Sequence, residues 1–223
     1  MIGVGTSLLF GRKAGKAGPP IPPFNKAMVD AWFMSGFSNN DKPSSIRGVK
    51  GNEVVLKNFV FTSESGFGEG SYEGALVFDG VDDYGICNNL PIIDDYTVIC
   101  RRALENNANN VVASKSVVAG NGAFIFEYGN NATYSFSEYT SGLAVNLKDS
   151  VSYQTKNSYN GSTITVGNAD DTDTLTLGII REKDSRIMRG AIYYFALYNK
   201  SLTPEEIEIE KERLNEEWLK RKN

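Results

Sequence analysis

Short apolar runs broken by asparagine and glycine are the feature that most restricts how this chain can fold. The runs at 53–57, 75–78, 96–100, 123–127, 162–166, 174–177 and 191–197 are four to seven residues long and rich in β-branched and aromatic side chains. Such segments fit a pleated, half-buried surface. Between them stand Gly51-Asn52, Asn88-Asn89, 106–110, Gly120-Asn121-Gly122, Gly129-Asn130-Asn131, Asn160-Gly161 and Gly167-Asn168. These residue types enter left-handed turns at little cost. No helical period separates the runs between Asp30 and about Leu202, so the crossovers that parallel strands require are missing. The pattern predicts one all-β domain, an antiparallel sandwich or jelly roll, and 223 residues suffice to bury its core.

Both ends depart from this pattern. Thr203-Pro204-Glu205-Glu206 is a capping box with proline at the first helical position, and it predicts a helix over 203–223. Acids crowd its start and Lys220, Arg221 and Lys222 its finish, as the helix dipole favours. Ile207, Leu214 and Trp218 lie near one face, a stripe that suits packing on the domain or an assembly seam. Residues 1–25 hold five glycines and the Pro19-Pro20-Ile21-Pro22-Pro23 run, which predicts an extended arm ahead of a domain spanning 26–202. Ile2, Val4, Leu8, Leu9 and Phe10 would form an apolar plug, and Arg12 and Lys13 a basic neck, for docking on an acidic partner. Four bases and no acid give the first 29 residues a formal +4, which leaves −8 elsewhere in a chain of net charge −4.

Chemistry is bounded by what is missing. The chain has no histidine, which removes Ser-His-Asp and Cys-His pairs and every imidazole metal ligand. Net charge and a pI near 5.1 argue against nucleic acid as a partner. No apolar run is long enough to span a membrane, and no export signature precedes Arg12. Cys87 and Cys100 are therefore expected to be thiols. No strand carries the E-x-D-x-E spacing of a sandwich-type retaining glycosidase, so a non-enzyme is expected. Two groups of ligand-type residues remain. Asp170, Asp171 and Asp173, with Asn121 on a neighbouring loop, form a calcium candidate, although acidic turns are more often solvated and no cofactor is expected. Tyr128, Tyr134, Tyr139, Tyr153 and Tyr159 fall close together among asparagines, the materials for binding sugar rings. Asp79-Gly80 predicts a turn whose carboxylate accepts backbone N–H groups, with Phe78 in the core and Asp82 and Asp83 exposed.

The block 74–84, Gly-Ala-Leu-Val-Phe-Asp-Gly-Val-Asp-Asp-Tyr, followed by Asp95-Tyr96-Thr97-Val98-Ile99-Cys100, resembles the opening strand pair of laminin G-like domains. Ser158-Tyr159-Asn160-Gly161 is similar to their NG hairpin, and 188–207 to their closing strand and helix start. The resemblance implies a concanavalin A-like (laminin G-like) antiparallel jelly-roll sandwich. The strand before the NG turn departs from the family, with Val151-Ser152-Tyr153-Gln154-Thr155-Lys156 where many members carry tryptophan and histidine. The segments 30–41 and 48–52 resemble such domains in virion proteins of phages that infect gut Bacteroidales. That implies a non-enzymatic virion component, a head or tail appendage or decoration subunit, made in the host cytoplasm and present as a homo-oligomer or in many copies. Its partners would be other virion proteins, through the arm, and host-surface glycans, bound weakly. A carbohydrate-binding module without a virion role is the alternative, and a cryptic glycoside hydrolase the third reading.

Overall fold

Turn chemistry cuts the chain into short strands. The computed structural model describes residues 23–105, 110–118, 121–129, 131–181 and 186–223; the docking residues Ile2, Val4, Leu8, Leu9, Phe10, Arg12 and Lys13 lie outside them. The strands are β1 (Met28–Phe33), β2 (Ser45–Arg47), β3 (Glu53–Lys57), β4 (Gly66–Phe67), β5 (Leu76–Asp79), β6 (Tyr84–Cys87), β7 (Thr97–Leu104) and β8 (Val111–Val118). They continue with β9 (Asn121–Tyr128), β10 (Ala132–Ser135), β11 (Glu138–Thr140), β12 (Ser150–Thr155), β13 (Ser158–Tyr159), β14 (Ser162–Thr163), β15 (Leu175–Leu177) and β16 (Arg189–Tyr198), and helix α1 (Pro204–Lys222) closes the chain.

Two antiparallel sheets result. The first runs β14-β13-β12-β7-β16-β5-β4, and the second β11-β10-β9-β8-β15-β6-β3-β2. β16 is long enough to pair β5 over 189–192 and β1 beyond that on one side, with β7 along the other. Trp32, Phe78, Val98 and Phe195 of the first sheet meet Val54, Phe124, Phe126 and Leu175 of the second in one core. Cys87 and Cys100 are buried in it as thiols, and burial first of all pushes the Cys87 thiol up to about 11. The fold is the antiparallel sandwich that the strand pattern predicts, closed by the predicted helix. Two details differ. The run at 162–166 leaves the sheet after Thr163, where the Ile164 N–H donates to the Asn157 carbonyl (3.0 Å). At Asn160-Gly161 the left-handed backbone (φ 44° and 83°) makes the hairpin turn between β13 and β14.

A polar layer is embedded in the core. Arg102 of β7 and Glu127 of β9 are fully buried and bidentate, with Nε to Oε2 and Nη2 to Oε1 both at 2.6 Å. Ser150 and Ser152 each accept one further guanidinium N–H, and the Tyr159 hydroxyl donates to Glu127 Oε1 (2.6 Å). Beside it Gln154 Nε2 donates to the Tyr96 hydroxyl (2.6 Å), which donates to Ser135 Oγ (3.0 Å).

The outer face of the first sheet is covered by α1. A bulge between Ile192 and Tyr194 places Tyr193 and Tyr194 on that same face, breaking the strict alternation. Ile207, Leu214 and Trp218 pack against them, so the helix stripe covers the domain. Trp218 Nε1 donates to the Gly74 carbonyl (2.8 Å), and the Arg101 guanidinium lies 4.4 Å from the Trp218 ring. Gly74 sits at φ 81°, and a Cβ there would come within 2.8 Å of the indole, which is why glycine opens the 74–84 block. Thr203 and Glu206 cap the helix reciprocally (3.2 and 2.9 Å). Truncating Trp218→Ala is expected to cost about 3–5 kcal/mol in urea unfolding, and Thr203→Ala about 1 kcal/mol.

Candidate functional site

Among the described residues no helix covers the outer face of the second sheet. Val111, Ile125 and Ile180 form a small apolar cluster there, with Tyr128 and Tyr134 against it. Along β9 the core takes Phe124 and Phe126 while Ile125 points outward. Glu127 then faces inward as well, at a left-handed φ of 54°, and this extra inward residue turns Tyr128 out. Tyr134 of β10 stands opposite Tyr139 of the edge strand β11. The three rings converge. Tyr128 meets Tyr134 edge-on at 5.6 Å and Tyr139 at 6.3 Å, and Tyr134 lies 5.0 Å from Tyr139. Tyr139 is 46% exposed, and the Arg186 guanidinium lies 5.7 Å from the Tyr128 ring. Burial is the first cause that raises the Tyr134 hydroxyl above the ordinary tyrosine value, so it stays neutral and able to donate.

Tyr153 and Tyr159 do not join this ledge. Tyr153 is on β12 in the other sheet, half-buried, with Lys211 Nζ 4.8 Å from its ring centre. Tyr159 is buried in the core on Glu127, so it presents no face to a ligand. The sequence pattern Tyr134-Ser135-Phe136 looks like one buried face, yet Phe136 is in the core and Tyr134 outside. The register shift in β10 and the left-handed Phe136 (φ 45°) account for the difference.

The aspartates of the calcium candidate are otherwise engaged or exposed. Asp171 is committed to the buried Lys115 ammonium and accepts the Ile93 N–H (2.9 Å), while Asp170 is exposed and Asp173 accepts from Thr174 Oγ1 (3.0 Å). Asn121 is the first residue of β9. With its most buried carboxylate neutralised by lysine, that set lacks the charge and the oxygens a calcium ion needs.

A tighter carboxylate group lies in the 79–83 turn, where the oxygens of Asp79, Asp82 and Asp83 fall within 4.8 Å of one another. Asp79 Oδ1 accepts the Val81 and Asp82 N–H groups (2.7 and 3.3 Å), the predicted turn. Asp83 is fully buried where the sequence pattern puts it at the surface. Its carboxylate accepts from Ser65 Oγ (2.9 Å) and from the Asp79 N–H (3.1 Å), pinning the turn to the 58–65 loop. These contacts explain the cluster as a staple.

No protein-family model matches the chain, and no curated protein matches it. Solved structures do. Trypanosoma rangeli sialidase in complex with sialic acid aligns with a TM-score of 0.53 at 14% identity, over 88% of this chain and 35% of that one. The binding domain of botulinum neurotoxin serotype D aligns with a TM-score of 0.54 at 15% identity, over 83% of this chain and 51% of that one. This chain thus spans a third to a half of the length of these neighbours. What they share with it is a fold. It is a sandwich of two antiparallel sheets, and at such identities the likeness carries no residue roles.

Burial, ahead of the neighbouring Asp79 and Asp82 charges, raises Asp83 to about 6 even though Ser65 and the Asp79 N–H oppose it. Its folded pKa exceeds the unfolded value of 3.8, so the folded state holds the proton more tightly. Asp83 therefore stabilises the fold most below pH 3.8, and this contribution is lost as pH rises through 6. The melting temperature of Asp83→Asn relative to the wild type is expected to climb across that window and level off above it. A difference that is flat with pH would contradict the assignment.

Proposed function

We propose that this protein is a non-catalytic surface-binding subunit of a bacteriophage particle, and that it holds host-surface glycans weakly through Tyr128, Tyr134 and Tyr139. The observation that carries the glycan reading is the convergence of three tyrosines, one of them 46% exposed, on a sheet face that no helix among the described residues covers. Aromatic faces take the apolar side of a pyranose, and hydroxyls and the exposed Asn131 take its polar rim. The fold neighbours, a sialidase in complex with sialic acid and a toxin binding domain, agree with this reading in architecture.

The particle role rests on the resemblance of residues 30–41 and 48–52 and on the composition of residues 1–25, an apolar plug behind a proline spacer that a free lectin does not need. Display in many copies would let weak single sites adhere by avidity. The non-catalytic reading is favoured by Asp83. Among the described residues it is the one carboxyl raised to about 6, but it is buried beneath its turn.

An array of gut polysaccharides probed with monomeric and with multimerised protein tests the proposal. Multimer signal is expected to exceed monomer signal, and Tyr139→Ala is expected to weaken binding about tenfold. An unchanged signal in Tyr139→Ala overturns the ledge, and no binding by the multimer overturns the glycan reading altogether.

A further inference from the structure

A pocket of about 170 Å3 opens where β5 ends and β16 begins. Its floor includes the buried Val77 and Phe78, and the half-buried Tyr72 lines it. Three carboxylates, Glu64, Asp79 and Glu105, share the lining with one guanidinium, Arg189. Arg189 Nε and Glu105 Oε2 are paired at 2.8 Å, so Glu64 and Asp79 leave the pocket net negative. Asp79 engages its turn through Oδ1, and no hydrogen bond reaches Oδ2 among the described residues. The loop that brings Glu64 to the pocket holds one strained residue, Phe61 at φ 57°. Left-handed bulky residues persist where the surrounding structure holds them, commonly at binding sites.

The volume lies below the roughly 300–1,000 Å3 of pockets that enclose drug-sized ligands, so it suits one small polar ring. An aromatic wall, hydrogen-bonding groups and net negative charge together select the ligand. We propose that this pocket binds a single amine-bearing sugar residue. Tyr72 packs against the apolar face of the ring, Glu64 and Asp79 hold the ammonium, and Arg189 donates to ring hydroxyls. Anionic sugars meet like charge and are turned away.

The site is separate from the tyrosine ledge, sharing no residue with it, yet both lie at one end of the sandwich. Buried Asn110 connects them. Its Nδ2 donates to the Glu105 carbonyl and its Oδ1 accepts the Arg189 N–H (both 2.8 Å), while its carbonyl accepts the N–H of Gly129, next to Tyr128 (2.7 Å).

Titrating the full chain with glucosamine, glucose, glucuronate and ethanolamine in slightly acidic buffer tests this, read by ligand-observed NMR. Glucosamine is expected to bind about fivefold more tightly than glucose, the value of one exposed charge pair, with ethanolamine weaker and glucuronate without signal. Glu64→Gln combined with Asp79→Asn, which keeps the carbonyl acceptor of the turn, is expected to erase the amine preference at an unchanged melting temperature. Tyr72→Leu is expected to weaken both neutral and amino sugars, and Tyr139→Ala to change nothing here. Equal affinity for glucose and glucosamine, glucuronate binding as well as glucosamine, ethanolamine matching glucosamine, or a preference that survives the double variant would each overturn the proposal. Absence of binding by every probe would do the same.

Discussion

The Arg102–Glu127 ion pair sits between the two sheets with both side chains fully buried. Taking two charges out of water costs several kcal/mol each, and the cost is met only when every donor and acceptor is used. Here most of them are used: Glu127 accepts two guanidinium N–H groups and the Tyr159 hydroxyl, while Ser150 and Ser152 each accept one further guanidinium N–H. Burial works against the guanidinium charge, but Glu127 outweighs it and keeps Arg102 more firmly protonated than usual. A half-satisfied version would be worse than an apolar core, so β7, β9, β12 and β13 are held in one relative register. The same demand makes Glu127 turn inward through a left-handed backbone, and Tyr128 is outside because Glu127 is inside. The tyrosine ledge therefore depends on a contact in the core.

The two outer faces have different fates for a related reason. The first sheet exposes Phe33, Tyr193, Tyr194 and Tyr198, too much apolar surface to leave wet, and α1 covers them with Ile207, Leu214 and Trp218. The Tyr198 hydroxyl then needs a partner, which Glu210 of the helix supplies (2.8 Å). On the second sheet Val111, Ile125 and Ile180 gather outside in a cluster small enough for flanking tyrosines to shield. One face is thereby closed by the helix, while on the other the three tyrosines converge.

Much of this was legible in the sequence, because strands and caps are local. The 53–57 run is β3 to the residue, the NG pair is a hairpin, and the Thr203 capping box starts the helix. The laminin G-like resemblance and the strand pattern agree with the sandwich. Residue roles were harder to see, since burial is decided by long-range pairing. Nothing adjacent to Asp83 announces Ser65, and nothing near Asp171 announces Lys115, more than fifty residues away. Tyr159 reads like any other tyrosine in its segment until Glu127 claims its hydroxyl. The one available signal was the order Phe124-Ile125-Phe126-Glu127-Tyr128, where a charge interrupts an alternating run and marks a change of face.

A double-mutant cycle on Arg102→Met and Glu127→Leu, measured by urea unfolding, tests the dependence on that buried pair most directly. Each single change strands a buried charge and is expected to cost about 3–5 kcal/mol, whereas the double variant, with both charges gone, should cost much less than their sum. Single variants that are each nearly neutral, or losses that simply add, would show that the pair does not hold the sheets together.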